Sequence, residues 1–277
     1  MNKAITIVGV LAVTAVASAQ FEIPRNNHYE VVSIRPGVSA ESCKYHVSPI
    51  QFLLENCSLR YLIGNVYNAF REYDLAGLPK WASSETFTFN AKSIAPANPG
   101  EQWGMLRPVL EDRFKLKYHR EKRQMPVYLF SAATGGIRFP ETAPGSCTPI
   151  DPNAPPVERK TPVDAKTPMN DCGRFLNQIL PGGGVRVRAK AITMAQLARP
   201  LGQYFDRPVV EQTGSSKLFD VDLSSVKSDL IVSDTNADPS GLPTIFDALK
   251  KVGLRATPGQ GAVEVLVIDQ LERPSEN

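Results

Sequence analysis

Histidine is scarce in this chain. It has only His28, His46 and His119, far apart, and none of its four cysteines falls in a CxxC spacing. These absences exclude the common zinc-ligand patterns, so no metal and no other cofactor is expected. A charge excess is also missing. The 31 Lys and Arg against 28 Asp and Glu leave a net charge of +3, which argues against a dedicated nucleic-acid binder. Beyond the N-terminus there is no apolar run of the ~20 residues needed to cross a bilayer as a helix. Nor is there a nucleophile elbow, or a serine, cysteine or threonine recognisably paired with a histidine and an orienting acid. Gly182-Gly183-Gly184 is not followed by the Lys-Ser/Thr of a phosphate loop, and suits a flexible linker end. No catalytic residue is assigned.

What is present begins with an address. Met1-Asn2-Lys3, the apolar run Ala4 to Val16 and then Ala17-Ser18-Ala19 form the charged, apolar and small-residue pattern of a secretory signal peptide, cleaved after Ala19. An exported chain would be disulfide-bonded. Cys43, Cys57, Cys147 and Cys172 allow three pairings, and the shortest loops favour Cys43 with Cys57 and Cys147 with Cys172. Each bridge contributes about 3 kcal/mol by restricting the unfolded chain.

Two helical stripes recur in the same order. Leu59, Leu62, Ile63, Val66, Tyr67 and Phe70 follow the i, i+3, i+4, i+7, i+8, i+11 spacing of one helix face, and Met194, Leu197, Ala198, Leu201, Gly202 and Phe205 repeat it at an offset of 135 (194 minus 59). Ser58 and Thr193 stand where they would cap these helices. Around them the pattern predicts an α+β fold, a tandem duplication of a small β-α-β-β-α-β type unit with helices packed on antiparallel or mixed sheets. The expected organisation is a signal peptide at 1–19, a first unit at 20–139, a Pro-rich linker at 140–181 and a second unit at 182–277.

Strands are expected at Tyr29–Arg35, Val47–Leu54 and Glu85–Lys92, with a helix over Gln102–Asp112 that Pro108 delays or kinks. Phe114–His119 and Pro126–Ala132 read as two strands joined by a charged turn. In the second unit strands are expected at Val185–Lys190, Arg207–Val210 and Leu218–Leu223. A helix over Pro243–Val252 stops at Gly253, and Leu254–Thr257 and Val263–Asp269 form a hairpin around Pro258-Gly259. Lys227–Gly241 reads as a surface loop.

Candidate ligand-binding residues are few. Trp81 and Trp103 suit either core packing or stacking on a ligand, since exported carbohydrate binders present exposed aromatics. Lys117-Tyr118-His119-Arg120-Glu121-Lys122-Arg123 reads as a solvated strand end and turn, or as an anion-binding strip with His119 or Glu121 as an acid or base; His119, Arg120 and, separately, Arg113 are candidate ligand contacts.

Tyr29-Glu30-Val31-Val32-Ser33-Ile34-Arg35-Pro36, Gly77-Leu78-Pro79-Lys80-Trp81, Asp112-Arg113-Phe114-Lys115-Leu116-Lys117-Tyr118-His119-Arg120-Glu121, Pro126-Val127-Tyr128 and Arg207-Pro208-Val209-Val210 with Thr213-Gly214 occur in this order. So do Phe21-Glu22 near the start and Arg273-Pro274-Ser275-Glu276-Asn277 at the end. With these motifs the chain resembles the soil-associated exported proteins of acidobacterial genomes, domain-of-unknown-function family 3738. The segment Ser215-Ser216-Lys217 departs from the family's usual Leu and further Gly. The resemblance implies no catalytic residues. Some relatives look like the outer sensor part of membrane metallopeptidases, which implies recognition outside the membrane.

The expected function is therefore a non-enzymatic binding or interaction module in the periplasm or outside the cell, contacting a protein, peptide or cell-envelope component. The alternative is an extracytoplasmic small-ligand or carbohydrate sensor working through a cleft between the units.

Overall fold

The computed structural model describes residues 27–38, 42–149, 168–180, 184–225 and 243–274. The signal-like segment 1–19, Phe21-Glu22, the middle of the proline-rich segment, the loop 227–241 and Ser275-Glu276-Asn277 lie outside the described residues. The fold is α+β, with short helices laid on antiparallel and mixed sheets.

The first half builds a four-stranded antiparallel sheet from β1 (Tyr29–Pro36), β2 (Lys44–Val47), β3 (Gln51–Ser58) and β5 (Thr86–Ser93), in the order β1-β5-β3-β2. The strand expected over Val47–Leu54 is instead two, because Ser48 turns the chain, its N–H donating to the Gln51 carbonyl. Helix α1 (Leu59–Tyr67) starts at Ser58, whose hydroxyl accepts from the Tyr61 N–H at 3.2 Å. Its stripe Leu59, Leu62, Ile63, Val66 and Tyr67 is buried as expected. The stripe stops short of Phe70. Asn68 adopts φ 56°, a left-handed C-cap with its N–H on the Gly64 carbonyl, and Phe70 is left 58% exposed.

A 3-10 turn (Glu72–Asp74), the short β4 (Leu75–Ala76) and helix α2 (Trp81–Ser84) lead into β5. Helix α3 (Pro99–Arg113) starts earlier than the sequence suggested and runs through Pro108. Asn98 and Glu101 form a reciprocal capping box and Pro99 occupies the first turn, which fixes the start despite the interior proline.

The second half runs through a similar order. Strands β7 (Phe175–Ile179), β8 (Val185–Ile192) and β10 (Phe219–Ser225) form a sheet in the order β10-β8-β7, so part of the proline-rich stretch supplies an edge strand. Thr193 caps α4 (Met194–Leu201) in a capping box with Gln196, and Met194, Leu197, Ala198 and Leu201 are buried. A 3-10 turn (Gly202–Tyr204), β9 (Val209–Glu211) and α5 (Ile245–Lys251) follow. Asn56 and Ala191, both non-glycine residues at positive φ (55° and 52°), stand two residues before the caps Ser58 and Thr193, at the offset of 135 found for the stripes. Both mark a break in strand register.

The main departure from the sequence reading concerns β6 (Lys117–Ala132) and β11 (Leu254–Gln270). Neither folds back as two strands around a turn. Each is continuous, and they pair antiparallel with each other, Leu254 opposite Ala132 and Ile268 opposite Tyr118. The prolines that suggested turns fit this ladder. The Tyr128 N–H points away from β11, donating to the Pro208 carbonyl. Pro258 lies opposite Tyr128 and Pro126 opposite Gln260, two residues along, so both prolines sit at non-hydrogen-bonded pairs, where the ladder needs no N–H from them. Gly259 and Gly261 leave room for the side chains of Leu129 and Val127. A Cβ at Gly259 would lie 2.6 Å from Leu129 Cδ1, and one at Gly261 2.9 Å from Val127 Cγ2. The charges that suggested a turn pair across the ladder, Arg120 with Glu264 at 2.6 Å and His119 with Asp269 at 2.9 Å.

This ribbon joins the two cores. Leu116 and Tyr118 of the first half pack with Leu266 and Ile268 of β11 in one core, while Tyr128 and Phe130 pack with Leu254 and Ala256 in the other. All are even-numbered, hence on one face of the ribbon. The short strands cross over as well, β4 pairing parallel with β11 and β9 parallel with β6. Disulfides join Cys43 to Cys57 and Cys147 to Cys172, the short-loop pairings. Among the described residues no helix is long and apolar enough to cross a membrane.

Candidate functional site

The same face of the ribbon, between the two cores, forms the floor of a cleft of about 630 Å³. One wall is the chain after α1. Because Asn68 ends that helix in a left-handed turn, Ala69, Phe70 and Arg71 leave it as a loop, and the Arg60 guanidinium donates to all three of their carbonyls, at 2.6, 3.1 and 2.7 Å. Burial holds the Arg60 pKa below its ordinary value, an effect opposed by Asp74 and Glu72. The loop so fixed presents Phe70, Arg71, Tyr73 and Asp74 to the cleft. Asp74 accepts the Arg71 backbone N–H at 2.9 Å. The Tyr73 phenol is pushed up to about 12, chiefly by burial and further by Asp74, so it stays a neutral donor at physiological pH.

The opposite wall is the end of α4 and the turn after it. Here the two halves lock reciprocally. Arg199 donates to the Asn68 carbonyl at 2.7 Å, and Arg71 donates to the Gly202 carbonyl at 3.3 Å. Pro200, Pro208 and Val209 line this side. On the floor Arg120 donates to Glu264 and, at 3.1 Å, to the Tyr67 carbonyl. Phe70 also borders a shallower hollow of about 390 Å³ over α1.

Of the five residues singled out from sequence, Arg120 alone lines the cleft. Trp103 stands edge-on to Phe52 at 4.9 Å and near Tyr61, packed on the first core. Trp81 packs edge-on to Phe87, with the Arg273 guanidinium 4.9 Å from its ring centre. Arg113 ends α3, where a cation suits the helix dipole. His119 is an odd-numbered neighbour of Arg120 on the strand and so faces the other side of the ribbon. Its hydrogen bond to Asp269, with Glu121 nearby, raises its pKa above the ordinary imidazole value. Among the described residues no group of three or more His, Cys, Asp or Glu is placed to hold a metal ion.

Phe70, Arg71, Tyr73 and Arg199 were not singled out from sequence. Phe70 carried a signal: it is the last member of a stripe that Asn68 interrupts. The arginines carried none, since only the long-range contacts of the fold bring them to one cleft.

Among its described residues the cleft lining holds no Ser, Thr, Cys, His or Lys. It offers guanidinium and phenol donors and the carboxylates of Asp74 and Glu264 beside apolar walls, the mix of a few polar groups among apolar ones usual in small-molecule sites. The model of a family described as protein of unknown function (DUF3738) matches residues 60–271. The chain belongs to that family. In this DUF3738 protein the match begins within α1 and ends just past β11, so both walls and the floor of the cleft lie inside it. No curated protein and no solved structure matches the chain.

Proposed function

We propose that this DUF3738 protein is an exported, non-enzymatic binding module and that its ligand seats in the cleft between the two halves. The observation that carries this reading is the cleft itself, walled by both halves and rimmed by an exposed Phe70 beside Arg71 and Arg199. A concave surface of this volume, with a few polar donors set among apolar side chains, is the usual form of a small-molecule site. Export is supported by the signal-like N-terminal sequence and by two disulfides, which persist in oxidising compartments. The matching order of elements, bulges and caps supports an origin by tandem duplication, with the cleft arising where the two copies meet.

A second reading, contact with a protein or peptide by strand addition, draws support from β7, an edge strand whose Ile179 is 82% exposed.

The test is ligand recovery. Small molecules released from protein purified out of its native envelope, identified by mass spectrometry and added back at 100 times their dissociation constant, are expected to stabilise it by about 2.7 kcal/mol. Phe70→Ser should remove that stabilisation. A recovered ligand that protects the Phe70→Ser variant equally, or one that the protein turns over, would contradict the reading.

A further inference from the structure

We infer that the cleft takes a small amphipathic organic anion, its carboxylate received by Arg71 and Arg199 and its apolar body laid on Phe70. This rests on the cleft being the binding site. Three arginines line it against two carboxylates, those of Asp74 and Glu264. Arg120 is already matched by Glu264. Arg71 and Arg199 are not matched in this way. Each side chain donates to one backbone carbonyl, and among the described residues neither has a carboxylate within ion-pair distance. A guanidinium carries five N–H donors in a planar fork suited to a carboxylate, so both retain donors for a ligand.

The Asp74 carboxylate, which lines the same wall, is turned to the Arg71 backbone N–H and lies within the field of Arg60 behind the loop. The Tyr73 hydroxyl, neutral and lining the same wall, makes no hydrogen bond to a described residue and adds a further donor. Phe70 belongs to neither core and is more than half exposed, whereas most other aromatics near it pack inward. The volume falls within the roughly 300–1,000 Å³ typical of small-molecule sites, ample for a chain of about ten carbons. The combination of paired donors and an apolar shelf selects against both a neutral lipid and a small polar acid.

Titration calorimetry of the purified protein with decanoate, decanamide and acetate tests this. Decanoate is expected to bind at least about tenfold more tightly than decanamide, since charge-assisted hydrogen bonds from a guanidinium to a carboxylate are stronger than those to a neutral amide. Acetate is expected to bind more weakly than either. In the Arg71→Gln, Arg199→Gln double variant the preference for decanoate over decanamide should fall to about onefold, while Phe70→Ser should weaken both long-chain probes. The comparison within the unaltered protein stands even if a variant folds poorly. Equal affinity for decanoate and decanamide, both sensitive to Phe70→Ser, would overturn the anion assignment and leave the cleft as the binding site. Long-chain probes that do not bind at all would overturn the amphipathic-anion assignment, and probes that bind with no sensitivity to Phe70→Ser would overturn the cleft as their site as well.

Discussion

Leu249→Ala is expected to destabilise the protein by roughly 2–5 kcal/mol, and to do so equally whether unfolding is followed by circular dichroism or by tryptophan fluorescence. Leu249 is fully buried in α5, in the second core. Trp81 and Trp103, the only tryptophans in the chain, both pack on the first core. Nothing in the immediate surroundings of either tryptophan changes in this variant. Their fluorescence can report the loss only if the two cores unfold together, and β6 and β11 provide the coupling, since each strand contributes side chains to both cores. Coincident transitions are the mark of two-state behaviour. A tryptophan transition that stays in place while the circular dichroism signal splits would show that the halves unfold independently.

Gly253→Ala should cost roughly 2–4 kcal/mol, combining a left-handed backbone penalty of ~1–2 kcal/mol with the strain of an overfilled site. Gly253 follows α5 at φ +75°, and a Cβ there would lie 1.9 Å from the Gly136 carbonyl oxygen. Backbone supplies the obstacle, so no rotamer change can relieve it. The turn holding Gly136 is pinned in place, with the Ala133 N–H on the Gly253 carbonyl and the Arg138 N–H on the Val252 carbonyl. After α3 the corresponding residue is Lys115, at φ 51°, so positive φ alone does not demand glycine at this point of the fold. The close approach does. Gly214→Ala is the control, because Gly214 has φ +67° and no atom within 4 Å of the added Cβ. Chemical denaturation should find Gly253→Ala distinctly worse than Gly214→Ala, and equal losses would remove the contact from the explanation.

Much of the fold was legible locally. The stripes beginning at Leu59 and Met194, the caps Ser58 and Thr193 and the stop at Gly253 depend on neighbours within a few residues, which a linear pattern preserves. The disulfide pairing followed from loop length. The long strands were not legible, because Pro126, Pro258 and Gly259 carry turn chemistry when read along the chain. Their compatibility with a strand is decided by the partner: which N–H groups point outward, and where Leu129 needs room. The cleft was hidden for the same reason. Its walls come from segments more than 100 residues apart, and Arg71 and Arg199 differ from other surface arginines only in what the fold places beside them.

The interlocked ribbon is the feature on which both the coupling of the cores and the position of the cleft depend. Nuclear Overhauser contacts along residues 117–132 and 254–270 test it most directly. The expected result is a cross-strand series joining Arg120 to Leu266, Gln124 to Ala262 and Tyr128 to Pro258. Contacts folding each segment back on itself, Lys117–Glu121 against Pro126–Phe130 and Leu254–Thr257 against Val263–Val267, would contradict it.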